Sequence, residues 1–205
     1  MKVLHIDCSI RGELSISKQL SQLFVARLTG KFDSAEVDYL DLASSTPSHP
    51  SALFIKGNYT PPAQRTEEMV RELAESEVLI EKMHRADVYV IGMPMYNFSV
   101  PSIFKSFIDN VVRVGRTFLI TETSFQGLLT GKKVFVINTR GVDFSSEMAQ
   151  SMDQLQPYIR TIFGFMGVTD VTFINVHPVK FGSPEALASA LVTAKGEIAA
   201  AVDLL

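Results

Sequence analysis

At 205 residues, with 46% hydrophobic and 20% charged side chains, the chain has the size and balance of one globular domain around a buried core. Its net charge of -3, with lysines and arginines scattered, provides no basic footprint, so neither nucleic acid nor an anionic membrane is expected as a partner. Cys8 is the only cysteine, which excludes an internal disulfide framework. The first apolar run is too short for a signal segment, and no stretch approaches the ~20 apolar residues that cross a bilayer, so a cytoplasmic protein is expected.

Val3 to Asp7 predicts a buried first strand, followed by a loop from Cys8 to Leu14. Ser17 to Leu28 then carries Leu20, Leu23, Phe24 and Leu28 at helical spacing. Glu36 to Leu40 reads as a second strand, and Leu42 to Thr60 as a long connection rich in Ser and Pro. Pro61 and Pro62 suit the entrance of the next helix, whose apolar stripe is Met69, Leu73, Ile80 and Met83. Asp87 to Gly92 is the third strand, and Pro101 opens a helix with Ile103, Phe107, Val111 and Val114 on one face. Lys132 to Asn138 and Val171 to Val176 are the fourth and fifth strands, separated by a helix near Ser151 to Phe165. Ser183-Pro184-Glu185 caps the last helix. This alternation predicts an α/β fold: one doubly wound domain over residues 1–205, with a five-stranded parallel sheet and helices on both faces.

Such sheets bind ligands beyond the carboxyl ends of their strands. The loop after the first strand holds Ser9, Ser15 and Ser17 at the start of a helix, where hydroxyls, backbone N–H groups and the helix dipole all suit an anion. It has neither a G-x-x-x-x-G-K-[ST] nor a G-x-G-x-x-G pattern, which argues against nucleoside triphosphate and dinucleotide fingerprints. Ser15 or Ser17 acting only as a helix cap is the plain alternative. The third-strand loop, Gly92 to Pro101, sets Met95, Tyr96, Asn97 and Phe98 between two prolines, and thioether and aromatic groups suit a flat conjugated ring. Plugging the top of the core is the alternative for Tyr96 and Phe98. After the fourth strand, Thr139 and Arg140 offer donors and Gly141 permits close backbone approach; a turn with a solvated Arg is the alternative there. The four histidines lack metal-ligand spacing, so no metal is expected, and Cys8 at a strand end reads as packing.

With these loops in view, the chain resembles the FMN-dependent NADH:quinone oxidoreductases and azoreductases of the flavodoxin-like superfamily nearly end to end. The resemblance is carried by P-M-Y-N-F-S-V-P-S-I-F-K-S-F-I-D at Pro94 to Asp109, G-L-L-T-G-K-K at Gly127 to Lys133 and F-G-F-M-G-V-T-D at Phe163 to Asp170. It implies strand order 2-1-3-4-5, FMN as cofactor and NADH as co-substrate. It places Ser9, Ser15, Ile16 and Ser17 at the phosphate, Met95 to Phe98 along the ring, and Thr139, Arg140, Gly141 and Val142 near the pyrimidine edge. At the last loop the family often reads S-R-G-G, where this chain has T-R-G-V; a backbone N–H contact from Val142 requires a negative φ there.

The implied reaction is a ping-pong transfer of two electrons from NADH to a quinone or azo compound, with no catalytic side-chain acid or base. The resemblance also implies a homodimer with the active site at the interface, roofed in part by Phe165 and the Leu42 to Thr60 connection. Two alternatives share the cofactor: a flavin reductase that releases reduced FMN, and a non-enzymatic flavodoxin-type carrier, which is usually more acidic than -3. A receiver-type signalling domain of similar architecture ranks below both, because Pro94 and Met95 stand where its phospho-acceptor Asp would be.

Overall fold

The computed structural model describes residues 1–205. The first half of the chain runs β1 (Lys2–Asp7), α1 (Ile16–Lys31), β2 (Glu36–Asp41), α2 (Ala52–Tyr59), α3 (Glu67–Arg85), β3 (Val88–Pro94) and α4 (Ser102–Val111). The second half runs β4 (Phe118–Ile120), β5 (Phe125–Gly127), β6 (Lys133–Thr139), α5 (Glu147–Ser151), α6 (Leu155–Phe165), β7 (Asp170–Val176) and α7 (Pro184–Asp203). Five strands form one sheet in the order β2-β1-β3-β6-β7, with every pairing parallel. Counted within this sheet alone, that is 2-1-3-4-5, because β4 and β5 pair only with each other.

Side-chain alternation divides the apolar core between the two sheet faces. On one face, Leu4, Ile6, Ile91, Val134 and Val136 meet Ile80 and Met83 of α3, Phe104 and Phe107 of α4, and Ile159 and Phe163 of α6. On the other, Val3, Val90, Phe135 and Ile137 meet Leu20, Phe24 and Leu28 of α1 and Ala194, Ile198 and Val202 of α7. Lys31, in the last turn of α1, donates from Nζ to the carbonyls of Val202 and Asp203 at 2.9 and 2.8 Å, tying the two helices at their ends. Carbonyls at a helix C-terminus have no intrahelical donor, so this lysine satisfies groups that α7 itself leaves unpaired.

Several boundaries differ from the sequence reading for identifiable reasons. The Leu42 to Thr60 connection contains α2, whose N-cap Ser51 accepts from the Phe54 N–H at 3.0 Å. Arg113, with no exposed surface, holds this helix by donating from Nε to Asn58 Oδ1 at 3.0 Å and from an Nη to Ser76 Oγ at 2.8 Å. Pro61 and Pro62 do not open α3: they lead into a single 3-10 turn, and Thr66 caps the helix. In α4 the buried apolar positions are Phe104, Phe107, Ile108 and Val111, and Val114 lies beyond its end. The segment near Ser151 to Phe165 is two helices, α5 and α6, broken at Met152–Gln154. The β4–β5 hairpin docks where a Cβ on Gly127 would lie 2.1 Å from the Gly167 backbone nitrogen, so its backbone rests directly on the chain beyond α6.

A second close approach positions the amino end of α1. A Cβ on Gly92 would lie 2.3 Å from Asp7 Oδ1, 2.9 Å from Ser21 Oγ and 3.1 Å from the Ser17 carbonyl oxygen. Asp7 is itself buried and accepts from Ser21 Oγ at 2.7 Å and from the Tyr39 hydroxyl at 3.0 Å. The Gly92→Ala variant is expected to lose about 1–3 kcal/mol, the usual cost of overpacking a filled site. Urea unfolding followed by circular dichroism measures it, and an unchanged midpoint would refute the close-packing account.

Candidate functional site

The carboxyl ends of β1, β3, β6 and β7 and the loops that follow them enclose a cleft of about 840 Å³. That volume is within the range of about 300–1,000 Å³ usual for small-molecule sites. Of the residues singled out from the sequence, Ser9, Ser15, Ile16, Met95, Tyr96, Asn97, Thr139 and Gly141 line it. Ser17, Phe98, Arg140 and Val142 do not. Pro94, Ile10 and Arg11 also contribute, together with Val179, Lys180 and Phe181 of the loop after β7.

At the β1 end, Ser15 caps α1 by accepting from the Lys18 N–H at 3.3 Å. Ser17 is fully buried, with its hydroxyl 3.0 Å from that of Ser15. The N–H groups of Ile16 and Ser17 have no intrahelical acceptor and take none elsewhere in the chain. The helix cap and two unengaged N–H groups therefore coexist at one place. Lys18 is committed elsewhere, pairing with Glu13 at 2.8 Å and Asp41 at 3.4 Å; its bond to Glu13 holds its pKa above the usual range, although burial opposes this. Burial pushes the Cys8 thiol well up, and the side chain packs into the core.

The middle of the cleft is a strained turn. Tyr96 and Ser99 exchange both backbone hydrogen bonds at 3.0 Å, while Asn97 and Phe98 between them have φ of 49° and 68°. Positive φ at both central positions defines a two-residue type I′ turn, favourable for Asn and unfavourable for Phe. The N–H groups of Asn97 and Phe98 consequently donate to nothing in the chain. Phe98 is half exposed rather than plugging the core. Ser9 Oγ lies 3.5 Å from the Tyr96 hydroxyl, which brings the first and third loops together.

The far end is built on backbone bonds. Met95 N–H donates to the Thr139 carbonyl at 2.8 Å, and the Gly141 carbonyl accepts from Lys180 and Phe181 N–H groups at 3.1 and 2.8 Å. Arg140 is not solvated, and it is absent from the cleft lining: at 4% exposure, its guanidinium pairs with Asp153 at 2.5 Å and packs 4.8 Å from the Phe144 ring. Burial lowers its pKa and the Asp153 carboxylate opposes that shift. Val142 is exposed, its φ is not positive, and its N–H has no acceptor in the chain. The loop at Val179 to Phe181 was missed in the sequence, although its place after the last sheet strand was the available signal.

The cleft thus offers unused N–H groups and hydroxyls at one end, a thioether and an aromatic ring in the middle, and the two cations Arg11 and Lys180 among its lining residues. No carboxylate lines it. The arrangement suits a ligand with an anionic group joined to a flat, polar-edged ring.

Comparison with known proteins agrees with this geometry. The family model described as Flavodoxin-like fold matches residues 1–202. An FMN-dependent NADH:quinone oxidoreductase of Polaromonas naphthalenivorans is 44% identical over 202 residues, covering 97% of this chain and 92% of that protein. FMN-dependent NADH:quinone oxidoreductase 1 of Trichormus variabilis is 43% identical over 185 residues, covering 90% of this chain and 88% of the relative. Among solved structures, an azoreductase of Bacillus anthracis superposes with a TM-score of 0.91 over 100% of both chains; at 24% identity this shows the shared fold. The chain belongs to the flavodoxin-like family of FMN-dependent NADH:quinone oxidoreductases.

Proposed function

We propose that this chain is an FMN-dependent oxidoreductase that transfers two electrons from NADH to quinones and to azo compounds, cleaving the latter to aromatic amines, in a ping-pong cycle. The single observation that carries the reading is the pairing of two unengaged N–H groups at the start of α1 with unengaged N–H groups in the strained turn across the cleft. The relatives' activity supports it. One flavodoxin-like domain over residues 1–205 is proposed as the working unit, and the lone cysteine favours a cytoplasmic setting.

The residues present fit FMN. Ser9, Ser15, and the N–H groups of Ile16 and Ser17 would hold its phosphate, with the Ser17 hydroxyl supporting Ser15 from behind. Met95, Tyr96, Asn97 and Phe98 would lie along the ring. Thr139, Gly141 and Val142 would meet the pyrimidine edge through the backbone, with Arg140 bracing their loop from behind through its bonds to Asp153, Val176 and Val179. When bound, FMN would supply the two-electron redox chemistry between NADH and the acceptor. The chain's part is orientation and electrostatics. The start of α1 offsets phosphate charge, the turn N–H groups fix one ring edge, and the loop after β6 offers donors where negative charge develops. No side chain need move a proton.

The exposed apolar surface supports a homodimer. Ile120 and Phe125 of the hairpin are 61% and 59% exposed, next to the cluster of Phe118, Phe125 and Phe165, while Ile55 and Tyr59 of α2 are also exposed. Patches of this kind mark interfaces, and a second copy is proposed to cover them and roof the cleft.

Purified protein loaded with FMN is yellow and bleaches under anaerobic NADH, then recovers colour on adding a quinone; a protein that takes up no FMN, or whose FMN NADH leaves oxidised, refutes the proposal. Retention of the flavin through gel filtration distinguishes it from a reductase that releases its product. Light scattering on the eluted peak should give twice the chain mass, and a monomer at micromolar concentration would remove the shared-site reading. The Ser15→Ala variant should bind FMN roughly 10–100-fold more weakly, from the loss of a bond to a charged group. Riboflavin, which lacks the phosphate, should bind nearly as well as to the parent, as read by quenching of flavin fluorescence.

A further inference from the structure

We propose that Asp153 is a positioning residue that sets the spacing between the two loops gripping the ring, the Tyr96–Ser99 turn and the Thr139–Gly141 loop. Its ligand rests on the FMN reading above; its coupling of the loops rests on contacts within the chain. Asp153 stands just ahead of α6, where Oδ1 accepts from the Leu155 and Gln156 N–H groups at 2.8 and 3.0 Å. Its other oxygen, Oδ2, accepts from an Nη of Arg140 at 2.5 Å. The adjacent Gln154 donates its N–H to the Phe98 carbonyl at 3.0 Å. One carboxylate therefore fixes the helix start that holds Phe98 and, with its second oxygen, the base of the loop after β6.

Each end of this connection is sensitive to its loss. Phe98 has a left-handed backbone, a conformation unfavourable for an L-residue, which persists only where surrounding contacts over-determine it. The bond from Gln154 is one of those contacts. Arg140 is buried with its Nε unpartnered, so Asp153 is its counter-ion, and removing one partner of a buried pair leaves an uncompensated charge. The Arg140 backbone in turn donates to the Val176 carbonyl and accepts from the Val179 N–H at 3.0 and 2.9 Å, which extends the connection to the loop after β7. Asp153 does not line the proposed flavin cleft; it lines a neighbouring polar one, so its effect on a ring there is transmitted through other residues.

The spacing of these loops concerns the ring rather than the start of α1, where the phosphate would sit. Asp153→Ala is therefore expected to weaken FMN and riboflavin by the same factor, tenfold or more, and to alter the visible circular dichroism of the bound flavin. Asp153→Asn retains an amide oxygen for the helix cap and should recover part of the loss. In cofactor-free protein, the backbone amide resonances of Asn97, Phe98 and Gly141 should shift together in Asp153→Ala. A merely structural role is separated by Val202→Ala, remote from the cleft: at a comparable fall in melting temperature it should keep the parent's affinity for both flavins. The proposal is overturned if Asp153→Ala binds both flavins like the parent, if only FMN is weakened, or if those amide resonances stay in place. A parent protein that binds neither flavin would instead refute the FMN reading, and the resonances would still decide whether Asp153 couples the loops.

Discussion

The cleft depends on the parallel pairing of β3 with β6. Seven residues of each strand run in register from Val88 opposite Lys133 to Pro94 opposite Thr139. Pro94 ends β3 with its missing N–H on the β1 side, and the next residue, Met95, donates its N–H to the Thr139 carbonyl as the chain turns away. That bond fixes where the M-Y-N-F turn begins relative to the loop after β6. Because parallel strands all point the same way, the β1 and β7 loops must emerge at this end too. Phosphate-type and ring-type donors are thereby brought together from residues 9 to 181 without any local sequence continuity.

Two buried arginines hold the segments that lie outside the sheet. Arg113 binds Asn58 of α2, Ser76 and Glu77 of α3, and packs 5.7 Å from the Phe54 ring. Arg140 binds Asp153 ahead of α6 and packs on Phe144. In both, burial depresses the guanidinium pKa and a carboxylate counters it. A planar, always-charged group with five donors can join several elements at once, which a point charge on a flexible stem does less well. The cost of such burial is offset only when the charge has its partner, so these sites constrain geometry more than they add stability.

The sheet was legible because its strands are continuous β-branched and apolar runs, as in V-Y-V-I and K-V-F-V-I, and the stripe at Met69, Leu73, Ile80 and Met83 was legible from its helical period. The hairpin of β4 and β5 was not, because three residues per strand leave no alternation to detect and its seat depends on a backbone contact between Gly127 and Gly167. Helix α2 was hidden among serines and prolines that read as loop, and its support comes from Arg113, 55 residues away from Asn58. Eight of the twelve site positions meet in the cleft because strand-end loops converge in this topology. For Arg140 the plain alternative of a solvated turn fails, and nothing local in the sequence signals that Asp153 and Phe144 enclose its side chain.

The lysine that joins the ends of α1 and α7 has a consequence for the order in which the protein is made. The face carrying Ile91, Val134 and Val136 draws its helical cover from residues up to Phe163, so it can close once β7 is in place. The opposite face cannot. Leu20, Phe24 and Leu28 of α1 have as their helical neighbours Ala194, Ile198 and Val202, which leave the ribosome after nearly all the sheet has been synthesised. Throughout elongation, α1 therefore presents an open apolar side that only the last helix covers. Nascent chains stalled before α7 should be clients for holding chaperones.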